Sequence, residues 1–147
     1  MPVQATSSVE LASQLRPLLL LLNRHLRREA HAEGITGGQA ALLGQIRHYP
    51  DLGVRELAAR EGISAPSMTR YLDRLERAGL IVRTRSPEDA RRIRLALTPK
   101  GVRVLRSVRR RRTAWLAERL EGLSTAERRT IAAAVGPLER LLVDEVG

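Results

Sequence analysis

The chain has 147 residues, enough for one domain with a real core, and it lacks cysteine, which excludes disulfides and cysteine-ligated metal. Its net charge is +10 and all but one of its basic residues are arginine, so a polyanionic partner such as nucleic acid is expected. Three scattered histidines, with no glycine-rich phosphate loop and no nucleophile motif, predict no metal site, no cofactor and no enzymatic activity.

Leucines recur at helical spacing in residues 8–34, which predicts a first helix that ends near Gly34. Pro17 lies inside this pattern and is expected to kink the helix or to start its main part. The leucine run at 18–22 is far shorter than the ~20 residues that span a bilayer. The stretch MPVQATSSVE has no basic residue and is not typical of a secretory leader, so we expect a cytoplasmic protein without a membrane segment.

Residues 36–77 carry the pattern of three helices, the last two joined by a tight turn at Gly62. Ser64 is a good N-cap for the third of these helices, and Pro66 falls in its first turn, where a missing N–H costs little. On a helical wheel, one side of this helix is apolar and the other is polar. The apolar side holds Met68, Tyr71, Leu72 and Leu75; the polar side holds Pro66, Ser67, Arg70, Arg74 and Arg77, with Thr69 at the margin.

Two short β-candidates, LIVRTR (80–85) and RIRLAL (92–97), flank the polar segment SPEDAR, which predicts a hairpin with an exposed basic tip. Thr98 then caps a long helix, and Ser124 with Glu127 forms a capping box for a final helix. Gly136-Pro137 lies inside the final helix, so we expect a kink or break there.

The segment LAAREGISAPSMTRYLDRLERAGLIVRTRSPEDARRIRLALTPKG resembles the DNA-binding core of the MarR family of bacterial transcription regulators. The resemblance rests on L-A-x-x-x-G-I-S before the second helix of the pair, R-L-E-R-A-G-L-I-V-R after it, and the wing signature D-x-R followed by L-T-x-x-G. It implies a mainly α winged helix-turn-helix with about six helices and a small two- or three-stranded wing. Residues 1–147 would then form one domain, with 36–97 as the winged lobe, and 8–34 and 98–147 as dimerisation helices that interleave in a homodimer.

The resemblance also implies where the protein touches double-stranded DNA at a palindromic operator. Arg91 would enter the minor groove and Asp89 would orient it, while the second helix of the pair would read the major groove. Basic side chains near these elements are further candidates for phosphate or base contacts. The complete predicted DNA-binding set is Ser64, Pro66, Ser67, Thr69, Arg70, Arg74, Arg83, Arg85, Asp89, Arg91 and Lys100.

Two questions of function stay open in the sequence. The resemblance implies a repressor released by a small anionic or phenolic effector, for which the candidate residues are Arg16, Arg47, His48 and Arg112. The alternative is a non-specific architectural DNA-binding protein without an effector, for which phosphate contacts alone would serve. The basic run at 100–112 is a solvated helix face, a contact to flanking phosphates, or part of an effector pocket.

Overall fold

The computed structural model describes residues 5–142, and its contacts divide into two units, Met1–Arg111 and Arg112–Gly147, which are described separately. The predicted order of helices and hairpin is confirmed. The elements are α1 Ser8–Arg28, a 3-10 turn Glu29–Glu33, α2 Gly37–His48, α3 Val54–Glu61, α4 Ala65–Arg77, β1 Ile81–Arg85, β2 Ile93–Leu97, α5 Pro99–Glu121 and α6 Thr125–Arg140. The last five positions of the range 98–147 lie outside the described residues.

The helix starts follow local hydrogen-bonding chemistry. The predicted capping box of α6 is confirmed: the Ser124 hydroxyl accepts from the Glu127 N–H at 3.1 Å, and the Glu127 carboxylate accepts from the Ser124 N–H at 2.8 Å. Thr36 with Gln39 forms an equivalent box at the start of α2. Such boxes satisfy backbone donors that the first helical turn leaves free, so they fix where each helix begins.

The two prolines inside helices do not end them. Pro17 lies within α1, which is already helical from Ser8, so the expectation that Pro17 starts the main part of the helix is wrong. Pro137 lies within α6, which continues to Arg140, so the expected break at this position is also wrong. A proline removes one backbone donor, and the turns on either side keep their own hydrogen bonds.

The core of the first unit lies under α4, and most of the predicted inward face of that helix is confirmed. Met68, Leu72 and Leu75 are buried, together with Leu43 of α2 and Val108 of α5. Tyr71, expected on the same face, is 44% exposed and is therefore a surface residue, because it lies at the edge of the apolar stripe. The buried stripe fixes which side of α4 is left facing outward.

The hairpin β1–β2 is antiparallel, with Ile81 opposite Leu97 and Arg85 opposite Ile93. Ile81 and Leu95 point into the core, and the alternate positions face outward. The two strands are the whole sheet within residues 5–142, so the wing has two strands. The hairpin therefore projects from the same core that holds α4.

The junction between the wing and α5 explains the L-T-x-x-G part of the sequence motif. The Thr98 hydroxyl accepts from the Gly101 N–H at 3.0 Å, which confirms the predicted cap, and donates to the Gly79 carbonyl at 2.5 Å. A Cβ on Gly101 would lie 2.0 Å from the Leu80 carbonyl oxygen. Glycine at position 101 therefore permits the close approach of α5 to the chain that enters β1.

The helices outside the winged lobe carry apolar side chains that their own unit leaves exposed. No residue of α1 or α6 is buried. Leu18 and Leu20 of α1 are 57% and 64% exposed, and Ile131 and Val135 of α6 are also exposed. No helix in the described part of the chain is long and apolar enough to cross a bilayer.

Candidate nucleic-acid interface

The start of α4 presents a group of linked polar side chains at the surface. The Ser64 hydroxyl accepts from the Ser67 N–H at 3.2 Å and donates to the Ser67 hydroxyl at 2.9 Å. The Arg70 guanidinium donates to the same Ser67 hydroxyl at 3.3 Å. Local hydrogen bonds therefore hold Arg70 toward the N-terminus of the helix, where backbone N–H groups and the helix dipole favour an anion.

The outward face of α4 contains the predicted contact residues. Pro66 in the first turn, Thr69, Arg70 and Arg74 are exposed. The Thr69 hydroxyl donates back to the Ala65 carbonyl at 3.0 Å, which directs its methyl group outward. This combination of small polar groups followed by arginines matches what a helix needs to lie in a major groove, namely close approach and long donors.

The tip of the wing is a turn built by backbone hydrogen bonds. The Ser86 N–H donates to the Arg92 carbonyl at 2.8 Å, and the Arg92 N–H donates to the Asp89 carbonyl at 3.0 Å. The Asp89 carboxylate accepts from the Arg91 N–H at 3.0 Å. The contact between Asp89 and Arg91 thus runs through the backbone of Arg91, as in an Asx turn, and shapes the turn that carries the arginine.

The wing arginines differ in their ionic partners. Arg92 lies 3.9 Å from Glu56 of α3, and Arg94 lies 3.5 Å from Asp51. The Arg91 guanidinium, in contrast, has no carboxylate within ion-pair distance among residues 5–142 and is exposed. Arg85 is likewise exposed. Of the three arginines that follow the acidic pair in the wing, Arg91 is therefore the one free to meet a phosphate or a base.

Arg83 occupies a different environment from the other predicted contacts. Its Nη2 lies 2.6 Å from Asp73 Oδ1, and its Nε lies 3.0 Å from Glu76 Oε2, an ion contact without the alignment of a hydrogen bond. The Arg83 side chain is 26% exposed. These two carboxylates come from α4, so Arg83 links β1 to the helix it packs beside.

Lys100, also predicted to contact DNA, donates from Nζ to the Ala78 carbonyl at 2.9 Å. Ala78 is the C-cap of α4, and a cation there satisfies a terminal carbonyl and complements the helix dipole. The sequence places Lys100 in the first turn of α5 but carries no signal for this contact across 22 positions.

The four effector candidates do not line one cavity. Arg16 lies on the exposed surface of α1, and Arg47 borders a shallow cavity of about 290 Å³ with Leu95 and Leu97. His48 lies at the end of α2 with its ring edge against the adjacent Tyr49, at 4.6 Å between centroids. Arg112 lies further along α5, in the second unit.

A cavity of about 370 Å³ beside α4 was not predicted from the sequence. Its walls include Arg27 from α1 and Arg74 from α4, with Leu42, Met68 and Tyr71 as apolar lining. The cavity has the size and the mixed character typical of small-molecule sites. A signal was available in Tyr71, an aromatic residue at the margin of the inward face of α4, but nothing in the sequence pairs it with Arg27.

Glu33 was also missed, and it connects the 3-10 turn to α5. Its carboxylate accepts hydrogen bonds from the Ser107 hydroxyl and from Arg111 Nε, the latter at 2.8 Å. The hydrogen bond from Ser107, then that from Arg111, and the charges of Arg111 and Arg110 hold the pKa of Glu33 below its usual range. One arginine of the run at 109–112 is therefore committed to a contact inside the protein.

The winged lobe, with its exposed helix start and its basic wing tip, defines a helix-turn-helix protein of the winged type. Residues 35–93 match the profile of the MarR family. The chain is 32% identical over 139 residues to HTH-type transcriptional regulator Mb0904 of Mycobacterium bovis, covering 95% of this chain and 96% of the relative. It is 30% identical to the HTH-type transcriptional repressor MdtR of Bacillus subtilis, covering 84% and 79%.

Its fold agrees with a solved structure from Pseudomonas aeruginosa that is described as a transcriptional regulator. The two share 37% identity at a TM-score of 0.81, with 95% of this chain and 98% of the other covered. The chain belongs to the MarR family of transcriptional regulators.

Proposed function

We propose that the protein is a dimeric repressor that binds a palindromic operator through α4 and the wing, and that a small anionic or phenolic effector releases it. The observation that carries this proposal is the pair of exposed cationic elements on one lobe, Arg70 at the start of α4 and Arg91 at the wing tip. A helix in the major groove and a wing arginine in the adjacent minor groove together read sequence and shape.

The exposed apolar faces support a dimer. Leucines of α1 and aliphatic residues of α6 would remain in water in a lone chain, which is unusual for a contiguous set of large apolar side chains. A second copy of the chain covers them in a two-fold arrangement. Two lobes related by such an axis require an inverted repeat in the DNA.

The contacts we propose divide by what each side chain can reach. Arg70 and Arg74 read guanine edges or phosphates, and Ser64, Pro66, Ser67 and Thr69 let the helix approach the bases. Arg85 and Arg91 belong to the wing contact. For Arg83 and Lys100 we propose a supporting role, because Arg83 pairs with two α4 carboxylates and Lys100 with the end of α4.

The wing proposal is tested with two adjacent arginines of equal charge. We expect Arg91→Ala to weaken operator binding by about 1–3 kcal/mol and to lower the salt dependence. Arg92→Ala removes the same charge from the neighbouring position, which is held near Glu56, and we expect a smaller loss. Mobility shifts with an operator duplex and with scrambled DNA give both affinities. Equal losses for the two variants would contradict the special place of Arg91.

Asp89 separates a role in backbone shape from a role in charge. Asp89→Asn keeps an oxygen that can accept from the Arg91 N–H, whereas Asp89→Ala removes it. We expect the asparagine variant to bind operator DNA at least as well as the wild type and the alanine variant to bind more weakly. If both variants bind more tightly by the same factor, the carboxylate acts only by repelling phosphate.

The same measurements decide between the regulator and an architectural DNA-binding protein. A specific regulator binds its operator about 10³-fold or more tightly than scrambled DNA. A ratio near one on every candidate operator would favour the architectural alternative. The polar side chains at the start of α4 favour the regulator, because a helix that serves only phosphates needs cations rather than two serines and a threonine.

Effector release is supported by the cavity beside α4. Arg27 and Arg74 supply positive charge, and Met68 and Tyr71 supply an apolar wall, a combination that fits an aromatic carboxylate or phenolate. Arg74 lies on α4 itself, so an occupant that pairs with it favours one placement of the helix over another. A ligand that prefers the placement incompatible with DNA lowers operator affinity.

A further inference from the structure

The first half of α5 carries an exposed basic surface, here named the α5 stripe and made of Arg103, Arg106, Arg109 and Arg110. At 3.6 residues per turn, three of the four lie within about 60° of one another and the fourth lies beside them. The buried residues of the same helix segment, Leu105 and Val108, lie on the opposite side. The α5 stripe is therefore the outward face of a helix whose other face belongs to the lobe core.

The structure separates this stripe from the other cations of the run at 100–112. Lys100 is held by the Ala78 carbonyl and Arg111 by Glu33. No carboxylate of residues 5–142 lies within ion-pair distance of any of the four stripe arginines, although Arg110 adds to the field that lowers the pKa of Glu33. The sequence has no acid between Lys100 and Glu118 to neutralise them.

We propose that the α5 stripe binds the phosphate backbone of DNA that flanks the operator half-site. This inference rests on the proposed operator binding and extends it. The stripe begins about 9 Å along the helix axis from the end of β2, since each helical residue adds about 1.5 Å. It then continues for about 10 Å from Arg103 to Arg110, a length that corresponds to about three phosphates of one strand at 3.4 Å each.

A phosphate backbone fits the stripe better than a small anion does. The four side chains form a row on a convex helix, and none of them lines a cavity formed by the described residues. A small anion needs convergent donors and a concave site, whereas a polyanion gains from cations spaced along a line. Each phosphate that such a row neutralises releases counterions, so its contribution appears in the salt dependence of binding.

The test uses duplexes of two lengths selected with the protein itself. An inverted repeat is enriched from a random DNA pool with the wild-type full chain, then prepared at core length and with about ten further base pairs on each side, one helical turn. The stripe variant is Arg103→Gln/Arg106→Gln, and the matched control is Arg129→Gln/Arg140→Gln in α6, which removes the same charge. Glutamine has nearly the helix propensity of arginine, so both variants keep their helices.

We expect the wild type and the control to bind the extended duplex about tenfold more tightly than the core duplex, a difference of about 1.4 kcal/mol. The stripe variant should lose most of this gain, bind the core duplex normally, and show a salt slope on the extended duplex lower by up to about 3.6, at ~0.9 for each of four lost contacts per dimer. Size-exclusion chromatography checks that all three proteins have the same oligomeric state.

Three results would overturn the proposal. The first is a stripe variant that behaves as the wild type on both duplexes, which makes the stripe a solvated face or a surface for an acidic protein. The second is an equal loss on both duplexes, which makes its effect independent of flanking DNA. The third is a selection that enriches no inverted repeat, which rejects operator binding itself and is recognised before any variant is compared.

Discussion

Gly101 is where the structure makes its sharpest demand on a single residue, and Gly101→Ala tests it. An added Cβ would lie 2.0 Å from the Leu80 carbonyl oxygen and 3.0 Å from the carbonyl carbon. Ordinary contacts of this kind lie at about 3.5–4.0 Å, so α5 must move away from the start of β1 by about 1.5 Å. Both contacting atoms belong to the backbone, so no side chain can rotate aside to make room.

The cost follows from what this movement disturbs. The Leu80 carbonyl accepts from the Thr98 N–H at 3.0 Å, and the Thr98 hydroxyl donates to Gly79. Losing one or both hydrogen bonds costs about 1 kcal/mol each, and overpacking costs typically about 1–3 kcal/mol. The better helix propensity of alanine returns about 1 kcal/mol. Gly101→Ala is therefore expected to destabilise the protein by about 1–4 kcal/mol on these terms.

Gly44→Ala is the matched control, because Gly44 also lies inside a helix and an added Cβ there meets nothing within 4 Å. We expect this variant to be more stable than the wild type by about 0.5–1 kcal/mol. Thermal unfolding at one protein concentration measures both, with about 2–4 °C for each kcal/mol. A Gly101→Ala protein as stable as Gly44→Ala would refute the close approach of α5 to β1.

Two further predictions concern Glu33 and the cavity beside α4. Because the folded pKa of Glu33 is lowered, its contribution to stability is full above the ordinary glutamate pKa of about 4.3 and is lost as the pH falls through the folded pKa. Urea unfolding should show wild type more stable than Glu33→Gln at pH 7, with a gap that closes on acidification; a constant gap would contradict the contact with Arg111. Arg27→Gln should weaken release of operator DNA by hydroxybenzoates about tenfold, the loss of about 1.4 kcal/mol, whereas Arg47→Gln should not, as followed by mobility shift.

The sequence predicted those parts of the fold that depend on local patterns. Helix caps such as Ser64 and Ser124, and the alternation in the two strands, act over three or four residues and can be recognised without knowing the partner elements. The proline predictions failed because proline is a weak terminator when the flanking turns are secure. Pro137 removes one hydrogen bond from a helix that is otherwise well capped.

The site residues were harder to rank, because their roles depend on contacts between distant positions. Arg83 follows the same alternating pattern as Arg85, and only the packing of β1 beside α4 gives Arg83 two carboxylates. Their spacing, Asp73 and Glu76 three residues apart on one helix face, was a usable signal that some cation would lie against them. The pairing of Lys100 with the end of α4 had no such signal.

The distribution of partners also changes what a net charge of +10 means for binding. An arginine held by a carboxylate must break that contact before it can neutralise a phosphate, so only the unpaired cations contribute fully to non-specific affinity. Acidic side chains also lie in the open groove between α3 and the wing, where Asp51 and Glu56 stand beside Arg92 and Arg94. A protein that only coats DNA would bind better without those acids, because they repel phosphates at the edge of the interface. Their presence beside an unpaired Arg91 favours a surface that accepts DNA in one register, since carboxylates penalise every placement that brings phosphates to the groove.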